Sequence, residues 1–299
     1  MEDLLIHKDP QDTFPTMIVA FAGWPDASEA ATRALKYLVR KLGAKKFGEI
    51  DSEGFYDFTM VRPQTRINSD GERIITWPQN DFYFYKNDDP SKNLIVFIGT
   101  EPNLRWRTYS QILTNLAQQY GVKLVVSLGA LLDAVPHTRE PKVTGRASSE
   151  ELMQKAEWLG IRDSRYQGPT GIHTAFIDAC INLKLEHASI WGHCPHYVNS
   201  APDPSISMAI LARLRSLIDT DVDLEELRIA SDTFREEIDK VISKQPNVSS
   251  YVTKLEQKHD ARKQSSLQND IPDPETMVKE LENFLKSQSQ GSQDQEDDS

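Results

Sequence analysis

Three short runs decide most of what this chain can fold into: TMIVAFAG (16–23), LIVFIGT (94–100) and KLVVSLGA (123–130). Each is continuously apolar, rich in Val and Ile, and carries a glycine at or near its end. A strand with one solvated face alternates apolar and polar residues. An unbroken apolar strand is buried on both faces, which calls for a parallel sheet covered by helices on each side. SIWGHC (189–194) is a weaker fourth run and KKFGEID (45–51) a fifth.

Helical patterns lie between them. ASEAATRALKYLVRKLG (27–43) spaces Ala31, Leu35, Leu38 and Leu42 along one face, with Asp26 and Glu29 as a capping box and Gly43 as its stop. WRTYSQILTNLAQQYG (106–121) and SISMAILARLRSLI (205–218) repeat the pattern. Strands alternating with helices define an α/β layered domain. Between about 50 and 90, FTMVRPQTRI, ERIITWP and DFYFYKN are strand-like pieces separated by INSDG and PQN, a β-hairpin excursion from the main sheet. VPHTREPKVTGRASSE (135–150) reads as an ordered loop.

After residue 220 the character changes. VDLEELRIASDTFREEIDKVISKQ (222–245) and VSSYVTKLEQKHDARKQ (248–264) are amphipathic and charged, and Pro246-Asn247 separates them as in an αα-hairpin. A further short helix is expected over 273–288, and the hydrophobe-free acidic end, 289–299, as a disordered tail. The expected organisation is a core domain over 1–220, a helical hairpin extension over 221–288 and that tail.

Charge excludes whole classes of partner. The net charge is −11, from 45 acids against 34 bases, and no basic stripe stands out, so neither nucleic acid nor an anionic membrane is an expected partner. No apolar run approaches the roughly 20 residues that span a bilayer. MEDLLIHKDPQD at the start has no basic region followed by an apolar one, so a cytoplasmic protein is expected. Cys180 and Cys194 do not make a disulfide framework.

WGHCPHYV (191–198) brings His193, Cys194 and His196 together. On an extended segment Cys194 and His196 point one way and His193 the other, and no CxxC or HxxxH pair exists to complete a zinc site. No metal and no cofactor are expected. GPTGIHTAFIDACINL (168–183) reads as a helix capped at Thr170 and apolar nearly all round, with Cys180 as a packing residue. Its Gly168-x-x-Gly171 start is compatible with an anion at a helix N-terminus, although it is neither a Walker nor a dinucleotide motif. No Gly-x-Ser-x-Gly elbow occurs, and no catalytic set is assigned. Asp26, Glu101 and Asp133 follow apolar strands, at the carboxyl edge where α/β proteins hold ligands.

In order, GWPDASEAA (23–31), GTEPNLRWRTY (99–109), LGALLDAVPHTREPKVTGRAS (128–148), YQGPTGIHTAF (166–176) and WGHCPHYVNSAPDPSISMAILARL (191–214) resemble the proteasome assembly chaperone 2 family. The resemblance spans about residues 14 to 220, and the extension after 220 resembles that of actinobacterial members. It implies a phosphorylase/hydrolase-like α/β fold, self-association, and a role with proteasome subunits, in whose assembly archaeal and eukaryotic relatives help. Some archaeal relatives dock through a C-terminal hydrophobic–Tyr–any-residue motif. Asp297-Asp298-Ser299 do not match it, so that route is not expected here.

The reading is therefore a cytoplasmic, homo-oligomeric, non-catalytic assembly factor whose helical extension offers a partner surface. The alternative is an enzyme or small-molecule binder of nucleoside or phosphate type. Its cleft would be formed by Gly23, Trp24, Asp26, Glu101, Asp133, His137, Gly168, Thr170, Gly171 and His196, with His137 and His196 meeting at the rim.

Overall fold

The three apolar runs lie side by side at the centre of one large sheet. The computed structural model describes residues 3–163, 167–198 and 202–269. In chain order its elements are β1 (Leu4–Ile6), β2 (Thr16–Ala22), α1 (Ala30–Leu42), β3 (Lys45–Ile50), β4 (Gln64–Ile67), β5 (Arg73–Thr76), β6 (Asn80–Tyr85), β7 (Leu94–Thr100), α2 (Trp106–Gln119), β8 (Leu124–Asp133), β9 (Val143–Ala147), α3 (Glu150–Trp158), β10 (Arg162–Asp163), α4 (Ile172–Asn182), β11 (Glu186–Pro195), α5 (Pro204–Leu217), α6 (Glu225–Ile242) and α7 (Pro246–Asn269).

The strand order is β1-β3-β6-β7-β2-β8-β11-β9-β10. The central four, β7, β2, β8 and β11, are parallel. Antiparallel strands extend the sheet on both sides, through β6, β3 and β1 and through β9. Alternate residues of each central strand feed two cores. Ile18, Val126 and Ile190 pack with Leu35 and Leu38 of α1 and Ile210 and Leu214 of α5. Met17, Val19 and Val125 pack with Leu113 and Leu116 of α2 and Phe176 and Cys180 of α4. Full burial of such a side chain contributes about 1.5–3 kcal/mol, so neither face of the sheet could be left bare.

The hairpin excursion is β4 and β5, paired antiparallel from Gln64↔Thr76 to Ile67↔Arg73. Asn68 closes its turn by accepting the N–H groups of Asp70 and Glu72 at 3.0 and 2.8 Å. Its third expected piece, DFYFY, is instead β6 in the main sheet, because its alternate aromatic residues find the aromatic core: Phe82 packs 4.5 Å from Phe97.

Two sequence expectations need correction. The segment 135–150 is not all loop, since Val143–Ala147 form β9 against β11. Gly145 makes that approach possible, because a Cβ there would lie 2.0 Å from the Ser189 carbonyl oxygen. The helix over 172–182 is not covered all round. Phe176 and Cys180 are buried, but Ile181 on its outer side is 57% exposed.

The chain divides into two compact units, 1–246 and 247–299. In the first, Leu224 and Leu227 lie against the core shared by α1 and α5, so α6 packs with the sheet domain. Tyr37 donates to the Asp223 carbonyl at 2.8 Å, and Arg40 and Lys41 pair with Glu226 at 2.6 Å each. In the second unit the described part is the helix α7. The expected helix over 273–288 and the acidic tail over 289–299 lie outside the described residues. No helix among the described residues is long and apolar enough to cross a membrane.

Candidate functional site

The loop after β2 turns sharply at Gly23, whose φ of +113° suits glycine. Asp26 follows and is 6% exposed. Its carboxylate accepts the N–H of Ala31 at 2.7 Å and the hydroxyl of Thr32 at 2.5 Å, closing the N-terminus of α1. The expected reciprocal box with Glu29 does not form. Ser28 and Glu29 both adopt left-handed φ (53° and 52°), and Glu29 turns to Arg33 at 2.8 Å. Burial raises the Asp26 carboxyl above its ordinary value, while Thr32 and Ala31 hold it down. Asp26 is thus committed to the fold.

Glu101, just past β7, donates its backbone N–H to the Ala22 carbonyl at 2.8 Å. Its side-chain Oε1 accepts the N–H of Ile172 at the start of α4, at 2.9 Å. Gly171 is needed between them, since a Cβ would stand 2.7 Å from that oxygen and 3.2 Å from the Trp24 ring. Burial raises the Glu101 carboxyl, opposed by the N–H groups of Ile172 and Trp24. The helix start compatible with an anion therefore already holds a carboxylate of this chain. Thr170 bonds to the Thr174 hydroxyl, and Gly168 is exposed in the preceding loop. His173, one residue into the helix, is a core residue: it reaches the Leu128 carbonyl through Nε2 at 3.0 Å and packs against Phe21 and Trp191. Burial lowers it to about 4, so it is neutral at physiological pH.

Asp133 ends β8 and stands in a different cluster. Its Oδ2 receives His193 Nδ1 at 2.8 Å and Lys142 Nζ at 2.9 Å. These bonds, that of His193 foremost, hold its carboxyl well below the usual carboxylate range. His193 Nε2 lies 2.9 Å from Thr144 Oγ1. Thr144 and His193 are 8% and 6% exposed. The sequence assigned neither to the cleft. Nothing in the local pattern shows that β9 returns antiparallel beside β11, which puts Thr144 opposite Trp191 and on the same face as His193.

His137 and His196 converge on the Tyr197 ring, each with centroids 5.7 Å from it. The Tyr197 hydroxyl lies 2.7 Å from His137 Nδ1, and Asp239 of α6 lies 3.0 Å from His137 Nε2. His196 Nδ1 lies 3.1 Å from the Asp133 carbonyl. β11 stops at Pro195, so His196 enters a short 3-10 turn and is exposed, whereas Cys194 is fully buried. The expected common orientation of Cys194 and His196 therefore fails. Among the described residues no three His, Cys, Asp or Glu side chains are placed to hold a metal ion.

Of the ten candidates, Gly23, Trp24, Glu101 and Gly171 meet at the start of α4, Asp26 adjoins them through its N–H to the Gly23 carbonyl at 3.1 Å, and His196 lies with Asp133. A groove of about 810 Å³ lies elsewhere, between α1, α5 and α6, lined by Arg33, Lys36 and Arg40 on one side and by Leu227, Ala230 and Phe234 on the other.

Such a fold, a parallel-centred sheet between two helical layers with polar clusters at its carboxyl edge, defines an α/β layered protein. The chain matches the model of the PAC2 family over residues 20–242 and belongs to that family. It is 35% identical to a PAC2 family protein from Streptomyces avermitilis, with 80% of this chain and 99% of that chain covered and a TM-score of 0.70. It is 34% identical to a proteasome-assembly chaperone homologue from Mycobacterium tuberculosis, covering 79% and 99% at a TM-score of 0.71. An archaeal proteasome activator from Pyrococcus furiosus shares the fold at 17% identity, covering 80% and 97% at a TM-score of 0.65. Among curated proteins, none matches the chain.

Proposed function

We propose that this protein works by binding other proteins, as a cytoplasmic, homo-oligomeric factor in the assembly of proteasome-type particles. The observation that carries the reading is the 34% identity, over 79% of this chain and 99% of that one, to the mycobacterial proteasome-assembly chaperone homologue. The surface is compatible with such a role. The eight residues of β4 and β5 are all exposed, with Ile67 at 71% and Ile75 at 58%. A lone two-stranded ribbon is marginal in water, which favours a partner surface over it. The groove beside α6 adds a second apolar surface with a basic wall. One position open to the small-molecule alternative, the α4 N-terminus, is occupied by Glu101 of this chain.

The test is purification of the tagged full chain from native cells, with separation of assembly intermediates by size. Proteasome α or β subunits should co-elute with it before mature particles do. Their absence from every fraction, with the tagged protein intact, would sink the assembly reading.

A further inference from the structure

The geometry points to Thr144 as a nucleophilic hydroxyl that accepts an acyl group from a small carboxylic ester, with His193 as its general base. This site stands apart from the assembly role and does not depend on it. Four separate positions supply it: Asp133 at the end of β8, Lys142 in the following loop, Thr144 on β9 and His193 on β11.

The direction of each hydrogen bond follows from charge. Lys142 Nζ can only donate, so Asp133 accepts from it as a carboxylate. An ionised Asp133 can only accept from His193, which places the ring proton on Nδ1. In the neutral ring Nε2 is then an acceptor, and the Thr144 hydroxyl donates to it across 2.9 Å. Hydroxyl, imidazole and carboxylate in this order are the arrangement that activates a nucleophile, on whatever fold it occurs. The quartet also lies at the carboxyl ends of parallel β8 and β11, where α/β sheets hold their ligands.

The step balances without a further reactant. Thr144 Oγ attacks the ester carbonyl carbon as its proton passes to His193 Nε2, and Asp133 stabilises the imidazolium. The carbon–oxygen bond to the leaving alcohol breaks, and the alcohol takes the proton from Nε2. The products are an ester of Thr144 and a free alcohol. Water attacking that ester by the same route releases the acid and restores the hydroxyl.

The full chain is incubated with 4-nitrophenyl acetate, following 4-nitrophenolate release and locating acetyl groups by peptide mass spectrometry. One acetyl group on Thr144 is expected. Thr144→Val, which keeps the shape, should carry none there, and Thr144→Ser should restore labelling at residue 144. His193→Gln should slow labelling about 100-fold or more, the contribution of a positioned general base. Each variant is checked for native melting and circular dichroism, with Thr144→Ala and His193→Ala in place of a Thr144→Val or His193→Gln that fails to fold. Absence of acetyl at residue 144 after rapid acid quenching, with 4-nitrophenolate release no faster than from Thr144→Val, in both the folded wild type and Thr144→Ser would overturn the proposal. So would labelling that is as fast in folded His193→Gln as in the wild type.

Discussion

Glu101 Oε1 accepts the backbone N–H of Ile172 at 2.9 Å, so a side chain at the end of β7 caps a helix that begins 71 residues later. The bond ties β7 to α4, which lies on the same face of the sheet as α2. Removing the acceptor in Glu101→Ala should cost about 1 kcal/mol, as loss of a helix cap does. Replacement by Gln keeps an acceptor oxygen, which makes the pH dependence of the pair informative. Burial raises the folded-state carboxyl of Glu101. A raised acid contributes most below its unfolded value, and that contribution is lost as pH rises through the folded one. Melting temperatures of Glu101→Gln should therefore gain on the wild type across the carboxyl range as pH increases. Parallel curves would show that the half-buried carboxylate carries no such penalty.

Asp133 should behave with the opposite sign. Its folded-state carboxyl is depressed by His193 first and then by Lys142. The stability it contributes is complete above the ordinary aspartate value and is lost as pH falls through the depressed one. Asp133→Asn should cost about 2 kcal/mol near neutrality, the scale of a hydrogen bond to a charged group. In strong acid the difference should shrink. Urea unfolding at the two pH values measures it, and an equal loss at both would contradict the ion-paired geometry.

Gly145 and Gly71 separate two reasons for glycine. A Cβ on Gly145 would stand 2.0 Å from the Ser189 carbonyl oxygen, in the middle of the β9–β11 ladder. Gly71 has φ +81° in the hairpin turn with open space around it. Gly145→Ala should destabilise by about 3 kcal/mol or more, through overpacking that backbone cannot relieve. Gly71→Ala should cost about 1 kcal/mol, the conformational penalty alone. Thermal melts of the two variants give the ordering, and equal effects would refute it.

The hairpin offers a test of surface against core. Ile67 and Ile75 are both strongly exposed and point from the same face of β4 and β5. Ile67→Asp with Ile75→Asp should leave the melting temperature within the small range of ordinary surface changes. Sedimentation and partner capture should weaken in the same protein. Unchanged assembly would exclude this face from the interface.

What was legible beforehand follows from the range of each signal. Continuous apolar runs announced β2, β7 and β8 because burial on both faces is a local requirement. The helix 106–119 and the hairpin turn at Asn68 were equally local. The strand β9 was hidden inside a Pro- and Gly-bearing segment, and only its pairing with β11 makes Val143–Ala147 extended. The hydrogen bonds that run from Asp133 through His193 to Thr144 depend on that pairing, so the sequence marks Asp133 without its partners. Asp26 and Glu101 stand out in the sequence only for their place after apolar strands. Their bonds to Ala31 and Ile172, made by folding, are what commit them to structure.

The two cysteines give the last measurable consequence. Cys180 and Cys194 are fully buried in opposite cores, and burial pushes both thiols up to about 12. Near neutrality a thiol in that state is almost wholly protonated, and the thiolate is the reactive form. Cys194 also sits against the Ala27 carbonyl, at 3.4 Å from its Sγ. Neither residue should react with iodoacetamide in the native protein on the time scale that labels an exposed thiol. Both should react together once denaturant unfolds the sheet, since that one sheet forms a wall of both cores. Labelling of Cys194 alone below the unfolding transition would mean that the loop from Gly23 to Glu29 opens independently. The bonds from Asp26 to Ala31 and Thr32 argue against that opening.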